Sequence, residues 1–328
     1  MQEGRQAGRL HLPAEHLIGV RLTFAALLLA LVAAAPAEAA PKCFGAAARD
    51  PERRCENPRL RLVVRPTPDE AAITPNLACT RAQLTEMLDE CAYGLPAEDA
   101  RETVAMIGDS HAAHWRAALA VVAKRKRWRV LEIARPHCPL STATPDSGEP
   151  ISSECAAWNR DVVSWLAEHP EVRTVFVSAN AQAPIVVPAG HTEYPTRVRG
   201  YVEAWRALPA SVQRIVVIRD NPTDRTRTHD CVRSAIAKRR PAGHACATLR
   251  RVVLPRDAGV TAAARLRARG AVVVDLTRYF CNRRRCLPVV GGVLVHKDVD
   301  HLTQLFAGTL GPFLLRRVDA LVRAQAPQ

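Results

Sequence analysis

The most constraining feature of this sequence is an alternation of short apolar runs with longer amphipathic segments from residue 103 onward. The apolar runs have the length and β-branched composition of buried strands, and they lie at residues 103–107, 128–134, 172–178, 215–218 and 271–274. Segments with helical spacing lie at residues 110–124, 155–169, 194–208, 257–269 and 303–324. This alternation indicates crossover units, and it predicts a three-layer α/β/α fold around a mostly parallel five-stranded sheet.

The preceding segment, residues 40–100, has a different composition, which is rich in Pro, Arg and Cys. It offers a strand candidate at residues 61–64 and an amphipathic helix candidate at residues 81–91. A segment of this size with few large apolar side chains makes a poor core of its own. We therefore predict an irregular N-terminal extension that is stapled by disulfides, followed by the α/β domain at residues 101–328.

The first 39 residues have the layout of a secretory signal peptide. Arg5, Arg9 and Arg21 precede a mainly apolar run at residues 22–35, and Ala37 and Ala39 have the spacing that a signal peptidase recognises. The run is too short to span a membrane comfortably. We interpret residues 1–39 as a cleaved signal, and we expect the mature protein to be exported to the periplasm or the cell envelope.

Ten cysteines follow the predicted cleavage site. Export favours disulfides, because cysteines oxidise in extracytoplasmic compartments. The sequence contains no C-x-x-C pair, the spacing that would indicate a metal site. We therefore expect no metal and no cofactor. The sequence cannot fix the connectivity, but the cysteines fall into neighbours, namely Cys43 with Cys55, Cys79 with Cys91, Cys138 with Cys155, Cys231 with Cys246, and Cys281 with Cys286.

The chain is basic, with 46 Lys and Arg against 32 Asp and Glu and a net charge of +14. A nucleic-acid partner is disfavoured, because the chain is expected to be exported and its basic runs are not interleaved with aromatic residues. An acidic polysaccharide or an anionic membrane surface could use the same charge, so we keep peripheral membrane contact as an expectation. The run Arg283, Arg284 and Arg285 is a candidate for guiding an anionic substrate.

Two motifs have the residues of a nucleophilic site. Ser110 lies where the first predicted strand gives way to a helix, and ligands of parallel sheets bind at the carboxyl ends of the strands. Asp298 and His301 lie three residues apart before the last predicted helix, so a carboxylate can orient an imidazole base. Helix capping by Asp109 or Ser110, and an acidic loop with an incidental histidine, are the alternative interpretations.

Together these motifs resemble the SGNH (GDSL-like) hydrolase superfamily, in which a serine in a G-D-S block pairs with a late D-x-x-H. More narrowly, the chain is similar to the SGNH domain appended to membrane acyltransferases that O-acetylate envelope polysaccharides. The resemblance implies a flavodoxin-like SGNH fold and an associated extension at residues 40–100. Further residues that carry it are Trp115, Cys138, Pro139, Cys155, Trp158, Cys281, Cys286 and Leu302.

The resemblance also implies the roles of the site residues. Ser110 is the nucleophile, His301 the general base and Asp298 the residue that orients it, while the Ser110 N–H and Asn180 form the oxyanion hole. The glycine that the superfamily places in a second block is missing, because residues 135–139 read Arg-Pro-His-Cys-Pro. Asp109 and His111, which flank the serine, are further candidates for substrate contact.

The sequence therefore predicts an exported serine-dependent O-acyl esterase or O-acyltransferase that acts on acylated envelope glycans or another O-acyl ester. A separate membrane acyltransferase is one expected partner. Activity should fade as the pH falls through the pKa of His301, near ~6.5 if that group is unperturbed. The alternative is a non-catalytic carbohydrate- or partner-binding domain that retains the fold with a degenerate site.

Overall fold

The structure, a computed structural model, describes residues 40–324, and the predicted signal peptide at residues 1–39 lies outside the described residues. From Pro41 onward the described chain forms one compact unit. The strands are β1 (Thr80–Gln83), β2 (Asp89–Gly94), β3 (Glu102–Gly108), β4 (Trp128–Ala134), β5 (Thr174–Ser178), β6 (Arg214–Ile218), β7 (Thr248–Leu249), β8 (Ala271–Val274), β9 (Arg285–Cys286), β10 (Val289–Val290) and β11 (Val293–Leu294).

The helices lie between these strands and after them. They are α1 (Pro68–Ile73), α2 (Ser110–Ala113), α3 (Arg116–Lys126), α4 (Ile151–Glu168), α5 (Glu193–Arg206), α6 (Thr228–Ala237), α7 (Ala242–Ala245), α8 (Arg250–Val253), α9 (Ala258–Arg265) and α10 (Gln304–Ala324). Short 3-10 helices lie at Gly45–Arg49, Pro58–Leu60, Arg267–Arg269 and Thr277–Tyr279. Among residues 40–324, no helix is both long and apolar enough to cross a membrane.

The predicted α/β/α architecture is confirmed. Strands β4, β3, β5, β6 and β8 are neighbours in that order, and each pairs in parallel with the next. Because side chains alternate along a strand, β3 supplies both layers of the core: Val104 and Met106 pack against α3 and α10, whereas Ala105 and Ile107 pack against α4, α5 and α9. The parallel sheet is therefore covered by helices on both faces.

The sheet has seven strands rather than five, because the helix predicted at residues 81–91 is wrong. That segment forms the hairpin of β1 and β2, and β2 pairs antiparallel with β4 from Glu90 opposite Ile133 to Gly94 opposite Arg129. The pairing satisfies backbone groups along the edge of β4 that a helix would leave unpaired. This tertiary demand overrides the local helical spacing.

The strand predicted at residues 61–64 is also wrong. The structure has a 3-10 helix at Pro58–Leu60, followed by a turn and a single parallel bridge between Arg65 and Val293. Asn57 caps the 3-10 helix by accepting the Arg59 N–H. The local turn chemistry therefore determines the conformation here, and the boundary predicted at residue 100 remains a prediction.

The ten cysteines form five disulfides between sequence neighbours. Each pair has a Cα–Cα distance between 3.9 and 5.8 Å. The pairs are Cys43–Cys55, Cys79–Cys91, Cys138–Cys155, Cys231–Cys246 and Cys281–Cys286. Two of them lie in the N-terminal extension, and Cys79–Cys91 joins the hairpin strand β2 to the residue that precedes β1.

Gly108 ends β3 at the point where the chain turns towards Ser110. Its φ is 153°, and a Cβ placed there would lie 2.0 Å from the carbonyl oxygen of Ser178 on β5. No side chain tolerates so close an approach of backbone atoms. Glycine at this position therefore allows β3 and β5 to stay paired up to the start of the functional loops.

We expect Gly108→Ala to lower the free energy of unfolding by more than about 3 kcal/mol, because β3 and β5 must separate to admit the methyl group. Gly190→Ala is a matched control, since Gly190 also has a positive φ of 76° but no other atom lies within 4 Å of a Cβ there. Its cost should be about 1 kcal/mol. Urea denaturation followed by circular dichroism measures both, and equal costs would contradict the steric argument.

Candidate active site

Ser110 begins helix α2 immediately after β3, and Asp109 is the N-cap of that helix. The Asp109 carboxylate accepts the N–H of His111 at 2.8 Å and the N–H of Asn180 at 2.9 Å. Asp109 is buried, and burial raises the pKa of this carboxyl. Asp109 thus joins the loops that follow β3 and β5, and it leaves the Ser110 side chain half-buried at the carboxyl edge of the sheet.

His301 lies in the loop between β11 and α10, and it contacts the serine. Its Nε2 is 2.8 Å from the Ser110 Oγ, and its Nδ1 is 3.0 Å from Asp298 Oδ2. Asp298 also accepts the backbone N–H of His301 at 2.8 Å, which fixes the loop around the imidazole. With Nδ1 protonated, Nε2 accepts the hydroxyl hydrogen of Ser110. This is the geometry of a serine, a base and an orienting carboxylate.

A second carboxylate, Asp300, contacts the same imidazole. Its Oδ1 is 3.0 Å from His301 Nδ1, and its Oδ2 accepts an N–H from the side chain of Asn180 at 3.0 Å. Asp300 is less exposed than Asp298, at 22% against 46% of the side chain. The neighbouring imidazoles of His111 and His301 lower the pKa of Asp300 far below its usual range, so it remains ionised.

The two carboxylates make His301 unusually basic. Burial lowers the pKa of this imidazole, but the hydrogen bonds to Asp298 and Asp300 and the attraction of Asp298 outweigh burial and raise the pKa to about 9. The value near 6.5 expected for an unperturbed histidine therefore does not describe this group. At neutral pH the imidazole is largely protonated, and its basic form is populated only as the pH rises towards 9.

Behind the serine, a buried pair of residues supports the loop that holds His301. His111 Nδ1 is 2.7 Å from Asp220 Oδ1, and neither side chain is more than 1% exposed. Burial lowers the pKa of His111, but the attraction of Asp220 and the bond to it raise the pKa well above 6.5. The His111 Nε2 lies 3.7 Å from Asp300 Oδ2, so this cation faces the second carboxylate of the site.

Asp220 and Asp300 are site residues that the sequence analysis missed. Asp220 is the second residue after β6, the strand next to β5, and it accepts the Ala181 N–H at 2.8 Å. An acidic residue at the carboxyl end of a parallel strand is a detectable signal. Asp300 lies inside the D-x-x-H motif itself, but its spacing to His301 gave no reason to expect a shared contact with Nδ1.

Among the predicted substrate contacts, the structure brings none to the open cleft beside Ser110. Asp109 and His111 are 2% and 0% exposed, so they support the loops from inside the protein. Arg283 lines a different cavity, while Arg285 donates to the carbonyl of Ala247 and the Arg284 carbonyl accepts the Arg250 N–H. None of the five lines the cleft, and contact of these residues with a substrate remains a prediction.

The cleft beside Ser110 and His301 has a volume of about 720 Å³. Residues 75–79, 81 and 89–91, from the hairpin and the segment before it, line the cleft, and so do Arg116 and Glu132. Arg116 forms two hydrogen bonds with the Glu132 carboxylate and donates a third to the Leu77 carbonyl. This buried ion pair thereby anchors the extension against the α/β domain.

The predicted oxyanion hole depends on the N–H groups of Asn180 and on those of the second block, residues 135–139. The Asn180 amide follows β5 and gives one hydrogen to Asp300, which leaves its other hydrogen for a ligand. In the second block, the Arg135 N–H donates to the Gly108 carbonyl, and Pro136 has no N–H at all. Neither residue therefore offers a free backbone N–H to an oxyanion.

His111, Asp300 and His301 lie close enough together to bind a metal ion. One side-chain nitrogen or oxygen from each of His111, Asp300 and His301 lies within 4.8 Å of the others. Asp300 and His301 already share a hydrogen bond, and Asp300 also accepts from Asn180. Hydrogen bonding between opposite charges accounts for the cluster without an ion.

Comparisons with known proteins identify the family of this chain. A family model described as the SGNH domain (fused to AT3 domains) matches residues 78–316. The periplasmic domain of a lipopolysaccharide acetyltransferase from Salmonella ser. Paratyphi A has a similar structure, with a TM-score of 0.51 and 13% identity over 69% of this chain and 90% of that one. Carboxyl esterase 2 from Tuber melanosporum matches with a TM-score of 0.32 and 12% identity over 74% and 88%. No curated protein sequence matches the chain.

We expect the His301 imidazole to titrate near pH 9, and Asp300→Asn to lower its pKa, because the substitution removes a carboxylate that favours the imidazolium. Histidine ring NMR spectra recorded against pH measure this, and His301→Gln assigns the resonance. Asp69→Asn, which changes an exposed carboxylate elsewhere, should leave the value unchanged. A pKa near 6.5 in the unmodified protein would contradict the expectation.

Proposed function

Because the chain belongs to the family of SGNH domains that are fused to AT3 domains, we propose that it cleaves or transfers O-acyl groups through Ser110. The observation that carries the proposal is the 2.8 Å contact between Ser110 Oγ and His301 Nε2, with Nδ1 held by carboxylates. Serine is a weak nucleophile at neutral pH, and a base at hydrogen-bond distance activates it. The large cleft leaves room for an ester beside Oγ.

The reaction proceeds through an acyl-enzyme. His301 Nε2 takes the Ser110 proton as Oγ attacks the ester carbonyl, and the new C–O bond gives a tetrahedral oxyanion. The intermediate collapses, the alcohol leaves with the proton from His301, and the acyl group stays on Ser110. Water or a sugar hydroxyl then gives a proton to His301 and attacks the acyl carbon. As the bond from that carbon to Oγ breaks, His301 returns the proton to Ser110.

The oxyanion would bind two donors, the Ser110 N–H and the free hydrogen of the Asn180 amide. Loss of one donor costs on the order of 100-fold in rate in other serine hydrolases. Because Arg135 and Pro136 offer no N–H for this purpose, we infer a slower enzyme than SGNH hydrolases that keep the second-block glycine.

We assign the positioning of His301 to Asp298 and Asp300 together. Asp298 fixes the loop and the ring, whereas Asp300 links the ring to Asn180 and faces His111. This arrangement supports a role for Asp300 in aligning the base with the oxyanion donor, because one carboxylate contacts both. It also supports stabilisation of the imidazolium that forms in each proton transfer.

For the substrate, we propose acylated glycans of the cell envelope. Charged side chains of both signs, such as Arg81, Asp89 and Glu90, line the cleft together with the Asn76 amide, and they offer many hydrogen bonds to a polyhydroxylated ligand. The family's fusion to AT3 domains supports a membrane acyltransferase as partner. The five disulfides support export, because they persist in oxidising compartments.

A non-catalytic, glycan-binding domain is the second candidate. The observation that favours it is the second block, where Pro136 stands in a segment that supplies a donor in the superfamily. In such a domain the cleft would bind the glycan, and the contacts of His301 would only stabilise the loop before α10. Glycan binding without acyl transfer, unaffected by Ser110→Ala, would identify it.

We expect a fluorophosphonate to label Ser110, because His301 activates its hydroxyl. Hydrolysis of a small acetyl ester should fall by about 10³-fold or more in Ser110→Ala and His301→Ala. Ser234→Ala, which alters an exposed serine on α6, is the matched control and should label and react normally. Full activity in Ser110→Ala would exclude the proposed mechanism.

We expect kcat/KM for the ester to rise with pH up to about 9, because only neutral His301 can accept the serine proton. Asp298→Asn or Asp300→Asn alone should lower kcat/KM by roughly tenfold, since the other carboxylate still holds Nδ1. The double variant should lose on the order of 10³-fold or more. Asp300→Asn should also shift the rise of kcat/KM to lower pH. If the double variant lost only the product of the two single losses, shared positioning of His301 by Asp298 and Asp300 would be contradicted.

A further inference from the structure

A second cavity, separate from the cleft at Ser110, is lined by arginines. It has a volume of about 600 Å³, and neither Ser110 nor His301 lines it. The arginines that line it are Arg49, Arg250, Arg278, Arg283 and Arg317. We call this space the arginine cavity.

The arginines of this cavity come from parts of the chain that are far apart in sequence. Arg49 ends a 3-10 helix of the extension, Arg250 begins α8, and Arg278 lies in the 3-10 helix Thr277–Tyr279. Arg283 lies in the Cys281–Cys286 loop, and Arg317 lies on α10. A solvated charge run would be local in sequence, so this convergence is a product of the fold.

Five arginines line this cavity, whereas a single carboxylate does so among residues 40–324. None of these arginines forms an ion pair with a carboxylate among residues 40–324, whereas Arg316 next in sequence to Arg317 pairs with Asp50 at 2.8 Å. Asp275 is the only acidic residue lining the cavity within the described chain, and it binds Arg219 at 2.9 Å and the Thr277 hydroxyl at 2.6 Å. Net positive charge is therefore concentrated around this cavity.

The side chains of Arg49 and Arg250 are held in the cavity wall by hydrogen bonds to backbone carbonyls. Arg49 is half-buried, and its Nε donates to the Arg278 carbonyl at 3.2 Å. Burial lowers the pKa of Arg49, as expected for a guanidinium that is removed from water without a carboxylate. Arg250 donates to the Asn282 carbonyl at 3.3 Å, which joins α8 to the Cys281–Cys286 loop.

Uncompensated guanidinium groups around one concave surface repel one another, and a multiply charged anion would relieve that repulsion. The planar fork of arginine matches the oxygens of phosphate in bidentate geometry, and the volume is within the range of small-molecule sites. A single carboxylate would neutralise only one of the arginines. We propose that the arginine cavity binds a multiply charged, phosphate-bearing anion.

Inorganic pyrophosphate is a suitable probe, because it has the proposed chemistry without a lipid or sugar attached. Isothermal titration calorimetry at low ionic strength should show saturable binding to one site per chain. The variant R278Q/R283Q/R317Q should weaken this binding at least tenfold, and it retains Arg49 and Arg250, which make the backbone contacts of the wall. Hydrolysis of a small ester should remain unchanged in this variant.

The control is R125Q/R206Q/R240Q, which removes the same number of charges from exposed arginines outside the cavity. It should weaken pyrophosphate binding less than twofold. Equal weakening in both triple variants would show that diffuse surface charge, and not this cavity, attracts the anion. Absence of saturable binding to the unmodified protein would also overturn the proposal.

The same variants distinguish the two sources of phosphate. If the ligand is a lipid headgroup, the protein will sediment with phosphatidylglycerol vesicles but not with phosphatidylcholine vesicles, and pyrophosphate and the cavity variant will both reduce this binding. If vesicle binding is absent or identical in the cavity variant while pyrophosphate binding is lost, the ligand is a soluble phosphate compound. Either result supports a phosphate site at the cavity.

Discussion

The parallel pairing of β3 with β5, and of β5 with β6, is the constraint on which the site depends. It brings the residues after Gly108, Ser178 and Ile218 to one edge of the sheet, where their loops bond to one another through Asp109 and Asp220. The pairing continues to Gly108 only because glycine lets the Ser178 carbonyl approach. The sheet therefore positions Ser110, whereas His301 lies in the loop before α10.

More charged side chains lie at this edge than a serine, one histidine and one carboxylate would need. His301 faces Asp298 and Asp300, and His111 faces Asp220 and Asp300, so cations and carboxylates alternate from the cleft into the interior. Removing one partner of a buried ion pair leaves an uncompensated charge, which costs several kcal/mol. The network thus links the position of His301 to the packing behind the serine, and its carboxylates Asp298 and Asp300 account for the raised pKa of His301.

The sequence predicted most of the domain and only part of the site. The parallel strands were predictable because buried β-branched runs alternate with helices, and the spacing of Asp298 to His301 indicated their contact. The hairpin at residues 80–94 was not predictable, since its strands exist by pairing with the edge of β4. The role of Asp300 was missed for a similar reason: its contacts to Asn180 and His111 arise from loops that only the folded sheet brings together.

The N-terminal extension lines both cavities of this molecule. Its segment from residue 75 to β2 forms a wall of the cleft, held by the Cys79–Cys91 disulfide and by the bond from Arg116 to the Leu77 carbonyl. Its first 3-10 helix contributes Arg49 to the arginine cavity. The contacts of His301 with Ser110, Asp298 and Asp300 involve none of these segments. The extension therefore lines both cavities, while the α/β domain alone holds the serine, the imidazole and its carboxylates.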